Sequence, residues 1–167
     1  MSLSLEALNS FLRMIGRTTG GGVTMDVEFR ETLKQALVAM EELARVAQEG
    51  RANFVAAPVL SALLSAFYVK KTRVVGAALS VLQQLIHDCR ISYDTPIILY
   101  QYQRNKQALR CGEALFCAVD DFLVNTADAA LQLKGLEVLH DLVSDDNFAY
   151  LTGSCVTRCV RTCYQVT

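Results

Sequence analysis

Three groups of residues have types and spacings that could do chemistry, and the first is glycine-rich. Residues 16–21 read Gly-Arg-Thr-Thr-Gly-Gly, which matches the glycine spacing of a phosphate-binding loop. Such a loop follows a strand and needs Lys and then Ser or Thr to hold the phosphates. Here Gly22 and Val23 occupy those positions, and an amphipathic helical pattern precedes the segment. We therefore predict a loop between two helices rather than a nucleotide site.

The second group is six cysteines, three of which recur every four residues. On a helix, Cys155, Cys159 and Cys163 form a slowly turning stripe, and the outer two lie about 12 Å apart. That distance is too long for one metal ion, and no Cys-x-x-Cys pair occurs, so we predict that they pack as small hydrophobic residues. Residues 1–6 do not resemble a signal peptide, so we expect reduced, intracellular cysteines. The other three are Cys89, Cys111 and Cys117.

The third group consists of two His-Asp pairs and three pairs of adjacent carboxylates. His87 and His140 fall near the predicted C-terminal turns of two helices, where an imidazolium would meet the negative end of the helix dipole. Since no nucleophile motif accompanies them, we predict helix capping rather than acid–base catalysis. The carboxylate pairs, predicted to be solvated, are Glu41-Glu42, Asp120-Asp121 and Asp145-Asp146. None of the three groups predicts a catalytic site, a metal ion or a cofactor.

Composition limits the class of protein. The 167 residues are 52% hydrophobic and 20% charged, with 16 Lys and Arg against 17 Asp and Glu. Such an apolar, nearly neutral chain collapses rather than staying disordered, and it lacks the positive charge of a nucleic-acid binder. Residues 52–69 carry no charge, but Asn53, Pro58, Ser61 and Ser65 interrupt them. That stretch favours a helix sandwiched between other helices over a membrane span.

Hydrophobic periodicity predicts about seven helices and no convincing strand. Their expected bounds are 2–15, from Thr24 or Asp26 to before Gly50, from Pro58 to Lys71, from Lys71 or Thr72 through Ile86, 105–124, 128–144 and from 152 onward. Residues 89–104 are the least regular. Thr95-Pro96 is typical of a helix start, whereas residues 100–103 alternate like a strand. We expect an irregular insertion there.

An internal repeat suggests how the helices are arranged. Residues 79–88 and 136–145 share the pattern Leu-x-Val-Leu-x-x-Leu-x-x-Asp at an offset of 57, and residues 37–43 form a weaker copy. Any two amphipathic helices can share such a pattern by chance. Helical-pair repeats of HEAT or armadillo type nevertheless recur about every 40–47 residues, and an insertion at 89–104 explains the longer offset. We predict an all-α fold, a short α-solenoid of armadillo/HEAT-like repeats forming a single domain over residues 1–167.

Two segments resemble a known family. Residues 71–86 begin Lys-Thr-Arg-Val-Val and continue Leu-Ser-Val-Leu-Gln-Gln-Leu-Ile, and residues 131–164 run from Leu-Gln-Leu-Lys to Val-Arg-Thr-Cys-Tyr. Both are similar to the dimerisation and cyclophilin-binding (DCB) domain of the large, brefeldin-A-inhibited Arf guanine-nucleotide exchange factors. The resemblance covers nearly the whole chain, including Asn53-Phe54-Val55. The departures are the glycines at 20–22, Gln84 where the family often has Lys, and extra residues at 97–103.

The resemblance implies a regulatory domain with no catalytic role. In the family, this domain dimerises, contacts the downstream homology domain of the same chain, and in some members binds an Arf-like GTPase that recruits the factor to the trans-Golgi. The glutamate finger of the exchange domain has no counterpart here. We therefore expect an N-terminal fragment of a longer cytoplasmic protein, peripheral on Golgi membranes and not bound to nucleic acid. The alternatives are a free-standing helical-repeat adaptor and, more remotely, a small helical enzyme.

A partner-binding surface is expected on the fourth helix. With Val75, Leu79 and Leu82 facing inward, the helical step puts Arg73, Ala77 and Gln84 on the opposite face. The complete predicted set is Lys70, Lys71, Arg73, Ala77 and Gln84. Small side chains at Ala77 and nearby Ser80 would let a partner approach closely, and the basic rim would steer an acidic partner. The alternative is that these basic residues are solvated charges that cap the preceding helix.

Overall fold

The computed structural model describes residues 3–17, 27–48, 54–68, 71–101 and 106–146, together with 157, 160–162, 164 and 165. The elements in this part of the chain are α1 (Leu3–Arg17), α2 (Val27–Gln48), α3 (Ala57–Ser65) with a 3-10 turn (Ala66–Tyr68), α4 (Thr72–His87), β1 (Pro96–Tyr100), β2 (Lys106–Arg110), α5 (Cys111–Asn125) and α6 (Ala129–Val143). The predicted mainly helical fold is confirmed. The loop at 18–23, the second helix's start, Gly50, Asn53 and the final helix's start at 152 lie outside the described residues.

The helices form two sets around one hydrophobic core. In the first set α4 contacts both α1 and α6, and in the second α3 contacts both α2 and α5. The sets meet where α1 contacts α2, α3 contacts α4, and α5 contacts α6. The apolar face of α1 is buried: Leu5, Leu8, Phe11, Leu12 and Ile15. Burial of these amphipathic faces is the main force that holds the helices together.

The two stronger copies of the repeat are adjacent, parallel helices. Side chains that join α4 to α6 are 54 or 58 residues apart in sequence, close to the repeat offset of 57. Equivalent helices therefore stack side by side, as in helical-pair repeats. The weaker copy at 37–43 lies in α2, which contacts α1 and α3 in the other set. The solenoid itself stays a prediction.

A β-hairpin corrects the sequence-based reading of residues 95–110. Pro96 begins β1 rather than a helix, and α5 begins at Cys111 rather than near residue 105. Strands β1 and β2 are antiparallel, with Ile98 opposite Ala108. The run Ile-Ile-Leu-Tyr suits a strand because branched and aromatic side chains pack well on a pleated surface. Proline is tolerated at the first position of a strand, where no ladder bond is required from it.

The small-residue face of α3 receives the hairpin. Ser61 Oγ accepts a hydrogen bond from the Ile98 backbone N–H at 3.2 Å, and Ser65 Oγ accepts one from the Tyr100 N–H at 3.0 Å. These serines pair the edge of β1 that β2 leaves open. All residues from Val59 to Tyr68 are buried, which confirms a sandwiched helix. No helix in the described residues combines the length and apolar character needed to span a membrane.

Ser65→Ala should destabilise the fold by removing a hydrogen bond between α3 and the hairpin. The variant leaves the buried Tyr100 N–H without its acceptor, which costs about 1–3 kcal/mol in free energy of unfolding. Ser61→Ala is the matched control, because its hydrogen bond is only partly buried and the loss should be smaller. Urea denaturation of both variants measures the difference. Equal stability of Ser65→Ala and wild type would contradict the docking of β1 on α3.

Candidate functional site

The predicted partner-binding residues are positioned by the start of α4. Lys71 has an extended backbone (φ −130°, ψ 110°), and its carbonyl oxygen accepts hydrogen bonds from Val74 N and Val75 N at 3.0 and 3.1 Å. This geometry begins the helix immediately after Lys71 and puts Arg73 in the first turn. Lys70 lies outside the described residues.

Burial along α4 follows the predicted register. Arg73 and Gln84 are exposed, Lys71 is partly exposed, and Ala77 is half-buried at the margin of the core. The positions predicted to face inward, Val75, Leu79 and Leu82, are buried, and so are Ala78 and Ile86. We call Lys71, Arg73, Ala77 and Gln84 the α4 strip. Its use in partner binding stays a prediction.

Helix α6 covers the small residues beside the α4 strip. Lys134 Nζ donates to the Gly76 carbonyl at 3.4 Å and to Ser80 Oγ. A Cβ atom at Gly76 would lie 3.3 Å from Leu131 Cδ2, so the glycine lets α6 approach closely. The expectation that Ser80 leaves room for a partner is therefore wrong, because a helix of the same chain occupies that space. Lys134 instead adds a cation next to the strip.

The Asp141 carboxylate links the C-terminal halves of α4 and α6. Its Oδ2 accepts a hydrogen bond from Gln83 Nε2 at 2.9 Å and lies 3.0 Å from His87 Nε2, and its Oδ1 lies 3.6 Å from His140 Nδ1. Together with Leu136 and Glu137 these side chains line an open cleft of about 360 Å³. His87 and His140 both lie in the last turns of their helices, as predicted, and the His87 ring also contacts a carboxylate on the neighbouring helix.

From the sequence, Asp141 was paired only with its neighbour His140; its link to α4 was not predicted, although a signal for that link exists. In a stack of parallel equivalent helices, each residue of α4 lies beside residues that follow it by about one repeat. With a repeat offset of 57, the neighbours of His87 should lie near position 144. The observed contact is with Asp141, 54 residues further along the chain. The repeat offset was available from the sequence, but the parallel stacking that makes it useful was not.

Asp141→Asn should lower stability in a pH-dependent way. The hydrogen bond from the Gln83 amide lowers the pKa of Asp141 below its usual 3.8; burial opposes this effect, and the His87 ring lowers the pKa further. A carboxylate with a depressed folded-state pKa stabilises the fold above about pH 4, and this stability is lost as the pH falls through the lowered pKa. The Asn variant should therefore be less stable than wild type at pH 7 and converge with it at an acidic pH below the lowered pKa.

Urea titrations at the two pH values measure this effect. Asp146→Asn is the matched control, because that side chain is exposed. A deficit of Asp141→Asn that is equally large at both pH values would show that its charge plays no part.

Three of the carboxylates predicted to be solvated are bonded within the fold instead. Asp120 is 1% exposed and accepts a hydrogen bond from the Thr162 hydroxyl. Asp121 accepts one from the Tyr68 hydroxyl at 2.7 Å, and Asp145 accepts one from Tyr93 at 2.6 Å. The prediction fails because partners from distant elements satisfy these groups. Glu41, Glu42 and Asp146 are exposed, as predicted.

Two potential nucleophiles among the described residues, Ser80 and Cys111, have defined structural surroundings. Lys134 donates to Ser80 Oγ, which itself donates to the Gly76 carbonyl, so this pair links two helices rather than activating a nucleophile. Burial raises the pKa of Cys111 to about 12, which keeps its thiol protonated and unreactive. No cluster of metal-ligating side chains occurs among the residues that the structure describes. Cys155, Cys159 and Cys163 lie outside those residues.

Comparison with known proteins adds no relative. No protein-family model matches the sequence, and no curated protein or solved structure matches the chain.

Proposed function

We propose that this chain is a non-catalytic interaction domain of an Arf-family guanine-nucleotide exchange factor, which binds an Arf-like GTPase through the α4 strip. The observation that carries the proposal is the strip itself. Arg73 and Gln84 are exposed on α4, Lys71 precedes them at the helix start, and Lys134 lies beside them on α6. Lys71, Arg73 and Gln84 belong to the segment at 71–86 that resembles the family, and in family members that bind a recruiting GTPase this helix faces it.

The remaining parts of the proposal rest on the resemblance alone. They are self-association, contact with a downstream homology domain and recruitment of the parent protein to trans-Golgi membranes from the cytoplasm. The proposal assigns no exchange activity to this domain, because the acidic finger of the exchange domain has no counterpart in the sequence.

Acidic substitutions on the α4 strip should strongly weaken GTPase binding. Arg73→Glu with Gln84→Glu changes two exposed positions, so the fold should be unaffected, whereas Ala77 is better left intact because it packs against the core. Negative charge on the strip would repel an acidic partner, so the dissociation constant for a GTP-loaded Arf-like protein should rise by about tenfold or more. Titration calorimetry with the GTP-loaded and GDP-loaded forms measures it.

Lys34→Glu on α2 is the control, since Lys34 is 76% exposed and lies outside the strip. Equal binding by the strip variant and wild type would reject the site. In the same samples, nucleotide release should stay at the spontaneous rate.

A helical-repeat adaptor is the second candidate, and the β-hairpin favours it, because the resemblance does not predict a hairpin at residues 96–110. Adaptor and exchange factor are distinguished by whether the coding sequence continues beyond residue 167 into a Sec-seven-type exchange domain.

A further inference from the structure

The outer edge of β2 presents backbone groups that point away from the hairpin. Cys111 N donates to Thr95 O at 2.8 Å, and hydrogen-bonded and non-bonded pairs alternate along an antiparallel ladder. The register therefore makes Leu109 and Gln107 the residues that bond to β1. The N–H and C=O groups of Ala108 consequently point outward, as do those of the residues two positions before and after it.

The two edges of the hairpin differ in whether their outward backbone groups are hydrogen-bonded. On β1 the outward N–H groups of Ile98 and Tyr100 are bonded by Ser61 and Ser65. On β2 no residue in the described part of the chain bonds the backbone of Ala108, and its side chain is exposed. An unpaired edge of this kind is a template for a further strand.

A groove lies over the face of the hairpin that carries Ile98 and Ala108, between the hairpin and helices α2 and α3. It has a volume of about 290 Å³ and is lined by Ala57 and Pro58 of α3 and by Thr32 and Gln35 of α2, together with the hairpin. Ile98 is 40% exposed here. The side chain of an added-strand residue opposite Ala108 would extend over this small residue into the groove. Backbone pairing beside a side-chain pocket is how proteins bind extended peptides by strand addition.

Charge at the edge selects the strand that can pair with it. Lys106 and Arg110 flank Ala108 on the same face of β2. Antiparallel pairing of β2 with a second copy of itself would put Lys106 directly opposite Arg110, and like charges in that position are destabilising. Lys106 already pairs with Glu28 at 2.6 Å, whereas Arg110 Nη1 donates to the Asp94 carbonyl oxygen. Arg110 is thus the cation that remains for an acidic partner.

We propose that the β2 edge binds an extended peptide from another protein as a third antiparallel strand, with a branched apolar residue opposite Ala108 and an acidic residue opposite Arg110. Antiparallel pairing puts the acidic residue two positions before the apolar one. This site is separate from the α4 strip, because the hairpin packs on α3 and α5. It does not depend on the proposed exchange-factor function.

Fluorescence anisotropy with a labelled, acetylated peptide of sequence Thr-Glu-Thr-Val-Thr-Thr tests the proposal on the full chain. Ala108→Pro removes the outward N–H but leaves the bonds of Gln107 and Leu109 to β1, so peptide affinity should fall about tenfold or more. Ala108→Ser keeps the N–H and should bind like wild type. Arg110→Glu should reverse the preference, so that the peptide with Lys in place of Glu binds more tightly.

A peptide N-methylated at its Val separates pairing from folding defects, since it should fail to bind the unaltered protein. Binding of that peptide at wild-type strength, or full binding by Ala108→Pro, would overturn strand addition. Equal affinity of the wild-type chain for the Glu and Lys peptides would overturn the selection by charge. No measurable binding of the Glu peptide, or its displacement by dimerisation of the chain, would overturn the site.

Discussion

Replacing Leu82 with alanine should lower the free energy of unfolding by about 2–5 kcal/mol. Leu82 is fully buried in the middle of α4. Its truncation loses the favourable free energy of burying its methyl groups, and the cavity left behind adds a further loss. For a domain of this size, each kcal/mol corresponds to roughly 2–4 °C in melting temperature. Calorimetric melting therefore provides a clear measurement.

Leu133→Ala is the matched control for Leu82. Leu133 lies in α6 and is 61% exposed, so the same substitution there should change stability by no more than about 0.5 kcal/mol. Similar losses for the two variants would contradict the faces assigned to α4 and α6.

The second large effect is expected at Gly135, where α6 crosses α5 closely. A Cβ atom there would lie 2.7 Å from Leu123 Cδ2 and 3.4 Å from Phe122 Cε1. Gly135→Leu must displace the buried Leu123, and such overpacking costs about 1–3 kcal/mol or more. Gly135→Ala should be much milder, because the gain of about 1 kcal/mol in helix propensity offsets a smaller displacement.

Chemical denaturation of both Gly135 variants measures this difference. Ala129→Leu introduces the same side chain at an exposed position of α6 and should leave stability within about 0.5 kcal/mol of wild type. A Gly135→Leu protein as stable as wild type would mean that α5 and α6 do not pack closely at this point.

The helices were predictable because their signals are local. The start of α4 after Lys71, the Asp128 cap of α6 and the inward faces of both helices follow from periodicity and capping residues. In α6 the Asp128 carboxylate accepts the Leu131 N–H at 3.1 Å, as an N-cap should. Pro58 likewise lies in the first turn of α3.

The hairpin could not be predicted from local signals. Strand β2 reads Lys-Gln-Ala-Leu-Arg, five residues that favour helix when considered alone. It becomes a strand because β1 offers a ladder of hydrogen bonds, and tertiary pairing overrides propensity. The strand-like alternation of residues 100–103 was visible in the sequence, but the partner strand β2 was not.

The site was only partly predictable for a related reason. Exposure of Arg73 and Gln84 follows from the register of one helix. The contacts between α4 and α6 depend instead on which helix lies beside α4. They are the hydrogen bond from Lys134 to Ser80 and the links of Asp141 to Gln83 and His87. Asp120 shows the same limit, since the hydroxyl that donates to it belongs to Thr162, which is 42 positions away in the sequence.

Chemical-shift mapping by NMR tests most directly the proposal that a partner binds the outer face of α4. Isotope-labelled protein would be titrated with an unlabelled, GTP-loaded Arf-like GTPase. We expect the largest amide perturbations at Arg73, Ala77 and Gln84, with smaller ones at Lys134. Perturbations confined to the hairpin or to α2, or none with the GTP-loaded form, would contradict the account.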